Sequence, residues 1–269
     1  MLPSDEMMNA VENTVGRVVD VLAARPSALI TDIDGTISRI VARPEDAFVS
    51  EKAREGLRRL VRTLDVVAIV TGRQTEVAKS MVGLNDIVYI GLYALDGDAA
   101  HEVEGFDALS AEEAVRPLLE DFPCVEIERK GISFAIHYRG CEDATVGERL
   151  LTLLQPVAQA EGARVVQGKQ VLELVPASLP DKGVAVTRLL HDRGINGAVF
   201  IGDDLTDAAV FRSLARRSKD EGLPSLSVAV TDDETDAMVY EAADTAVSGV
   251  DGVEALLAAL ATQLEGGGR

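Results

Sequence analysis

ALITDIDGT, residues 28–36, decides how this chain is read. Its first four residues, Ala28 to Thr31, form a short apolar run with a β-branched end, as expected of a strand buried on both faces. Gly35 and Thr36 then turn the chain. Between these parts Asp32 and Asp34 stand two positions apart, flanking Ile33. Like charges that close raise one another's pKa. The strand therefore leaves its core carrying an electrostatic fault that something elsewhere in the chain must offset.

On either side of this stretch, apolar strands alternate with amphipathic helices. Met7, Val11, Val15, Val18, Val19 and Leu22 fall near helical spacing and predict a packing helix over residues 6–24. A helix over residues 50–64, with Ser50 as its N-cap and Arg54 at its fourth position, leads to a second strand, DVVAIVTG. GRQTEVAKSMVGL and a third strand, DIVYIGLY, follow. Strands that are apolar throughout and alternate with helices imply a parallel sheet covered on both sides.

The pattern changes after Asp98. A helical stretch, SAEEAVRPLLEDF, precedes CVEIERKGISFAIHYRG, which reads as two strands joined by a turn at Lys130-Gly131. A helix over residues 144–161 separates it from ARVVQGKQVLELVP, a second strand pair turning at Gly168-Lys169. Paired short strands with glycine turns imply an antiparallel sheet with helices on one side. From Asp181 the alternation returns, with helix KGVAVTRLLHDRG, strand GAVFIGDD, helix TDAAVFRSLARR, strand LSVAV, a helix over residues 234–242, a last helix over 253–264 and a flexible EGGGR tail. The expected fold class is an α/β parallel-sheet core, residues 1–98 and 181–269, interrupted by an inserted α+β domain, residues 99–180.

Composition narrows the partners. The chain has 269 residues, 47% hydrophobic and 26% charged, with net charge −19. A surface this acidic excludes nucleic acid and anionic membrane as expected partners but leaves room for a small anion in a local basic pocket. No apolar run approaches the ~18 residues of a membrane span, and the acidic MLPSDEMMNA start has no secretory pattern. Cys124 and Cys141 read as two separate thiols, neither a disulfide framework nor a zinc site, so a cytoplasmic location is expected. The expected assembly is a monomer, with a dimer as the alternative.

In an open parallel sheet, sites form beyond the carboxyl ends of the strands. Asp32 and Asp34, Thr71, and Asp203 with Asp204 all stand at such ends, and Lys182 stands near the start of the helix that restores the core. Carboxylates converging on one rim repel unless a cation neutralises them, and an all-oxygen set suits a hard ion, most simply Mg²⁺. Magnesium is usually shared between carboxylates and phosphate oxygens, and Lys182 with the Thr71 hydroxyl could cradle the same phosphate. Phosphoryl transfer follows from the residues alone.

In that order, DIDGT (32–36), TGR (71–73), KG (182–183) and GDDLTD (202–207) resemble the four motifs of the haloacid dehalogenase superfamily of phosphatases. The resemblance implies a Rossmann-like core with a cap of the C2 type inserted between the second and third motifs. It also implies that Asp32 is the nucleophile, forming an aspartyl-phosphate, and that Asp34 is the general acid and base. Thr71 and Lys182 would hold the phosphoryl group. Asp32, the backbone carbonyl of Asp34, and Asp203 would bind Mg²⁺, with Asp204 and Asp207 in support.

A finer resemblance, from Ala28 to about Phe211, is to trehalose-6-phosphate phosphatases. DIDGTISRIVARPEDA is similar to that family's first motif with its trailing Pro-acid-x-Ala, and KGISFAIHYR to its K-x-x-S-x-x-x-H-Y-R signature. GKQVLELVP followed by DKG, and GDDLTDAAVF, match two further motifs, with Ala208 where the family usually has Glu. The resemblance implies that Arg73, Lys130, Ser133, His137, Arg139 and Glu173 bind a small sugar phosphate, with the insertion as a cap over the sugar. On a strand, Ser133, His137 and Arg139 share a face. GLYALDG (91–97) departs, with Tyr93, Ala94 and Asp96 where many members carry His, Gly and Glu. Three readings stand: hydrolysis of trehalose 6-phosphate, the same chemistry on another sugar or cyclitol phosphate, and a non-catalytic phosphate-sensing module.

Overall fold

The opening stretch forms the centre of a sheet in the computed structural model, which describes residues 4–41, 43–91 and 106–266. Strand β1 (Ser27–Thr31) is buried along its whole length. It pairs in parallel with β2 (Val66–Val70) on one side and with β8 (Gly197–Gly202) on the other. The sheet runs β10-β9-β8-β1-β2-β3, adding β3 (Val88–Ile90), β9 (Ser225–Thr231) and β10 (Thr245–Ser248), and all its pairs are parallel.

Alternation along β1 explains why every residue in it is apolar or small. Leu29 points into a core shared with helices α1 (Ser4–Leu22), α2 (Glu51–Leu60), α3 (Thr75–Val82) and α9 (Gly249–Gly266). Ala28 and Ile30 point into the opposite core, under α6 (Lys182–Asp192), α7 (Leu205–Glu221) and α8 (Ala237–Ala242). A Leu or Ile taken fully out of water in this way contributes roughly 1.5–3 kcal/mol. Ser50 caps α2 as expected, its hydroxyl accepting from the Ala53 amide at 3.1 Å.

The chain divides into two compact units, Met1–Ala94 with Asp181–Arg269, and Leu95–Pro180. The second contains an antiparallel sheet in the order β4-β5-β7-β6. Its strands are β4 (Glu126–Arg129), β5 (Phe134–His137), β6 (Ala163–Gly168) and β7 (Val171–Pro176). Register sorts its side chains into two faces. Phe134, Ile136, Leu172 and Leu174 pack under α4 (Ala108–Val115) and α5 (Val146–Ala160). Glu128, Ala135 and Glu173 lie in one row across the other face.

Two sequence expectations need correction. The sequence pattern predicts no element at DTAVSG, residues 244–249, yet this stretch contains β10, which extends the sheet beside β9. Thr and Val favour strands, but a run of four residues is too short to stand out, and pairing with β9 supplies what length does not. Cys124 and Cys141 are not separate thiols: they form a disulfide across 17 residues. They flank the β4–β5 hairpin at its open end, so strand pairing brings them together. The inference of a reducing compartment from free thiols loses its premise. No helix among the described residues is long and apolar enough to cross a membrane. Tyr93, Ala94 and Asp96 lie outside the described residues, as do residues 267–269 of the tail, whereas Glu265 and Gly266 belong to α9.

Candidate active site

The strand order puts β1 between β2 and β8, so residues far apart in sequence share one carboxyl edge. Just past β1, the Asp32 amide donates to the Ile201 carbonyl of β8 at 3.0 Å. The chain then folds back sharply, with the amides of Thr36, Ile37 and Ser38 all directed at the Ile33 carbonyl. Gly35 has φ +81°, and a Cβ there would lie 2.0 Å from an Asp203 carboxylate oxygen. Only glycine lets this turn pass so close to β8. The Thr36 hydroxyl closes the contact, donating to Asp203 at 3.1 Å.

At the end of β8 the carboxylates serve the backbone as well as the site. Asp204 is the N-cap of α7, accepting from the amides of Thr206 and Asp207. Asp207 returns the favour, one of its oxygens accepting from the amides of Asp203 and Asp204 at 2.8 and 3.2 Å. Such reciprocal capping satisfies amides that a helix start otherwise leaves orphaned. Lys182 opens α6, whose N-cap Asp181 accepts from the Val184 amide. Its Nζ stands 3.0 Å from Asp32 and 2.8 Å from Asp207.

Asp32, Asp203, Asp207 and Lys182 are all buried. One carboxylate oxygen from each of the three aspartates lies within 4.8 Å of the others. Burial pushes the Asp32 carboxyl well above its ordinary range; Lys182 opposes the rise, and the charges of Asp207, Asp203 and Asp204 add to it. Burial likewise pushes Asp207 up to about 6, again against Lys182. One ammonium does not compensate this set, and a hard divalent cation on these oxygens would. The donor chemistry therefore fits a metal.

Asp34 faces elsewhere. Its carboxylate takes a two-point contact from Arg73, Nε to Oδ2 at 2.6 Å and Nη2 to Oδ1 at 2.7 Å. Thr71 is buried at the end of β2, its amide donating to the Ile90 carbonyl and its hydroxyl accepting from the Arg73 amide at 3.2 Å.

The remaining expected residues lie on the second unit. Ser133 donates to Glu173 at 2.6 Å, and Lys130 stands 3.3 Å from the same carboxylate. His137 pairs with Glu128 at 2.8 Å, while Arg139, past the end of β5, reaches the Lys169 carbonyl at 3.3 Å. Sequence reasoning missed Glu128, although alternation from Lys130 back along β4 would have put it on the same face. It also missed Thr36, whose hydroxyl gives no signal until the turn is seen against β8.

The sequence model of the trehalose-phosphatase family matches residues 30–224. A probable trehalose-phosphate phosphatase 4 from Oryza sativa subsp. japonica is 28% identical over 214 residues, 72% of this chain and 57% of that protein. A trehalose-phosphate phosphatase from Mycobacterium tuberculosis is 31% identical over 208 residues, 72% of this chain and 53% of that protein. The chain thus spans about half the length of the curated relatives it matches. Among solved structures, the C-terminal domain of C. albicans trehalose-6-phosphate phosphatase superposes with TM-score 0.75 at 22% identity, over 94% of this chain and 96% of that one. That likeness establishes the haloacid-dehalogenase-like fold.

Proposed function

The chain belongs to the trehalose-phosphatase family, and from that premise we propose that it hydrolyses trehalose 6-phosphate to trehalose and phosphate. The observation that carries the proposal is the buried contact of Lys182 with Asp32 and Asp207 beside Asp203, with a second carboxylate, Asp34, two residues from the first. A carboxylate nucleophile divides hydrolysis into two easier steps. In the first, an Asp32 oxygen bonds to phosphorus, the bond from phosphorus to the sugar oxygen breaks, and Asp34 gives that oxygen its proton. In the second, Asp34 takes a proton from water as the water oxygen bonds to phosphorus and Asp32 is released. Lys182 and the Thr71 hydroxyl hold the phosphoryl oxygens throughout. Asp32, Asp203 and the backbone carbonyl of Asp34 would hold Mg²⁺, supported by Asp204 and Asp207. When bound, the ion supplies charge neutralisation at those phosphoryl oxygens.

On the second unit, Lys130, Ser133, His137, Arg139 and Glu173 are proposed to read sugar hydroxyls. The pairings of Lys130 and Ser133 with Glu173, and of His137 with Glu128 in the same row as Glu173, support this reading. A charged sugar phosphate stays in the compartment where it is made, which favours a cytoplasmic location. The chemistry needs no second subunit, so a monomer suffices.

Phosphate release from trehalose 6-phosphate, glucose 6-phosphate and sucrose 6-phosphate, each with Mg²⁺, tests the proposal. Selectivity for trehalose 6-phosphate, abolished in Asp32→Asn, is the expected result. Selectivity for another sugar replaces the substrate and spares the mechanism. Mg²⁺-dependent binding without turnover of any ester favours a phosphate sensor instead.

A further inference from the structure

We propose that Arg73 is the positioning residue of Asp34, and that the turn at Pro44–Asp46 is the anchor of Arg73. The proposal rests on the reading of Asp34 as the proton-transfer carboxyl. It assigns Arg73 a different task from the substrate contact that its motif suggests.

Among the described residues, Arg73 supplies both side-chain hydrogen bonds to the Asp34 carboxylate. The terminal torsion of an aspartate is soft, and a single bond would leave the carboxyl plane free to rotate. A guanidinium fork meets both oxygens in one plane and fixes it, using one lone pair on each and leaving the other to take the transferred proton. The fork is itself held at its far side, where Nη1 donates to the Pro44 carbonyl at 3.2 Å. That carbonyl belongs to the short 3-10 turn Pro44–Asp46 and also accepts from the Ala47 amide at 3.3 Å. An oxygen with two lone pairs can serve both donors.

The backbone under Arg73 is equally constrained. Its amide is bound to the Thr71 hydroxyl, and Gly91 packs against its carbonyl so closely that a Cβ there would come within 2.6 Å of that oxygen. The chain thus runs from the end of β2, through a fixed guanidinium, to the general acid and to the PEDA segment (44–47). That segment is part of the first sequence motif and has no other role in the proposed chemistry. It supplies the anchoring carbonyl.

Proton transfer gives the test its selectivity. An alkoxide leaving group, such as a sugar oxygen, needs the proton of Asp34, whereas para-nitrophenolate leaves without one. kcat/KM reports the steps through cleavage of the ester bond and so isolates the first proton transfer. General acid catalysis contributes about 10²–10⁴-fold. Arg73→Ala should therefore lower kcat/KM for trehalose 6-phosphate by about 10²-fold, and for para-nitrophenyl phosphate by less than about 10-fold. Arg73→Lys, which keeps the charge but only one point of contact, should fall between, with the same skew. In an Asp34→Ala background, removing Arg73 should cost little more, because the two act as a unit.

Equal losses on both esters, or a rise in KM alone, would show that Arg73 binds the substrate phosphate and would overturn the proposal. So would full activity in folded Arg73→Ala. If the parent protein does not turn over trehalose 6-phosphate, the substrate reading fails separately. The same comparison, run on any alkyl phosphate it does hydrolyse, still decides the role of Arg73.

Discussion

Stripped of divalent metal, the protein should gain stability as the pH falls from about 7.5 to about 5, and Asp207 should account for a measurable part of the gain. Its carboxyl is held at about 6 in the folded state against an ordinary 3.8. Between those values the folded chain keeps a proton that the unfolded chain releases, so stability falls as pH rises. The contribution is fully present below the unfolded value and is lost through the folded one. Moving from about pH 7.5 to about pH 5 recovers about 1.4 kcal/mol from this group alone. Asp32 is raised in the same direction and adds to it. For a chain of this size about 2–4 °C of melting temperature accompanies each kcal/mol, so the shift is about 3–6 °C. General repulsion on a surface of net charge −19 acts in the same sense. The measurement is therefore the difference in pH slope between the parent and Asp207→Asn, by calorimetry in chelator. Saturating Mg²⁺ favours the ionised carboxylates and should remove that difference. Equal slopes in parent and variant, or a difference that survives Mg²⁺, would refute the reasoning.

Three further outcomes follow from the same geometry. Lys182→Met leaves Asp32 and Asp207 buried without their ammonium; at neutral pH the metal-free variant should lose about 3–5 kcal/mol, read by denaturant titration, and with Mg²⁺ present it should lack the proposed phosphatase activity. Glu173→Gln breaks the charge pair with Lys130 and should raise KM for the sugar phosphate about tenfold while changing kcat little; steady-state kinetics check this, and a loss confined to kcat would contradict it. Cys124→Ser opens the crosslink that spans 17 residues. The chain-entropy relation assigns such a loop about 3 kcal/mol, which faster amide exchange in β4 and β5 should report.

The core strands were legible because burial on both faces leaves an unbroken apolar run, as in SALIT and VVAIV. The same criterion passes over β10, whose place in the sheet depends on β9 more than on its own residues. It also stops α7 early, since the polar SKDE at its end carries no periodic signal although the helix runs to Glu221. In the site, Asp32, Lys182, Asp203 and Asp207 could be named because each follows a strand or opens a helix, and backbone position nearly settles where they point. Arg73 sits in a loop, where the direction of a long side chain depends on its partners. Its engagement with Asp34 and Pro44 emerges only in three dimensions. The disulfide was hidden for a related reason: two cysteines at the open end of a hairpin become neighbours only once the register is known.

Asp207 finally bears on how such sequences drift. It closes the start of α7 and also holds the lysine, so a lineage abandoning catalysis would still be under pressure to keep it for the sake of the helix. Among the described residues Asp34 makes no comparable bond to a backbone amide through its side chain, and relaxed selection would erase it sooner. An aspartate at the position of Asp207 thus has a reason to persist in the helix itself, whereas the pairing of Asp34 with Arg73 has one only in the proposed proton transfer.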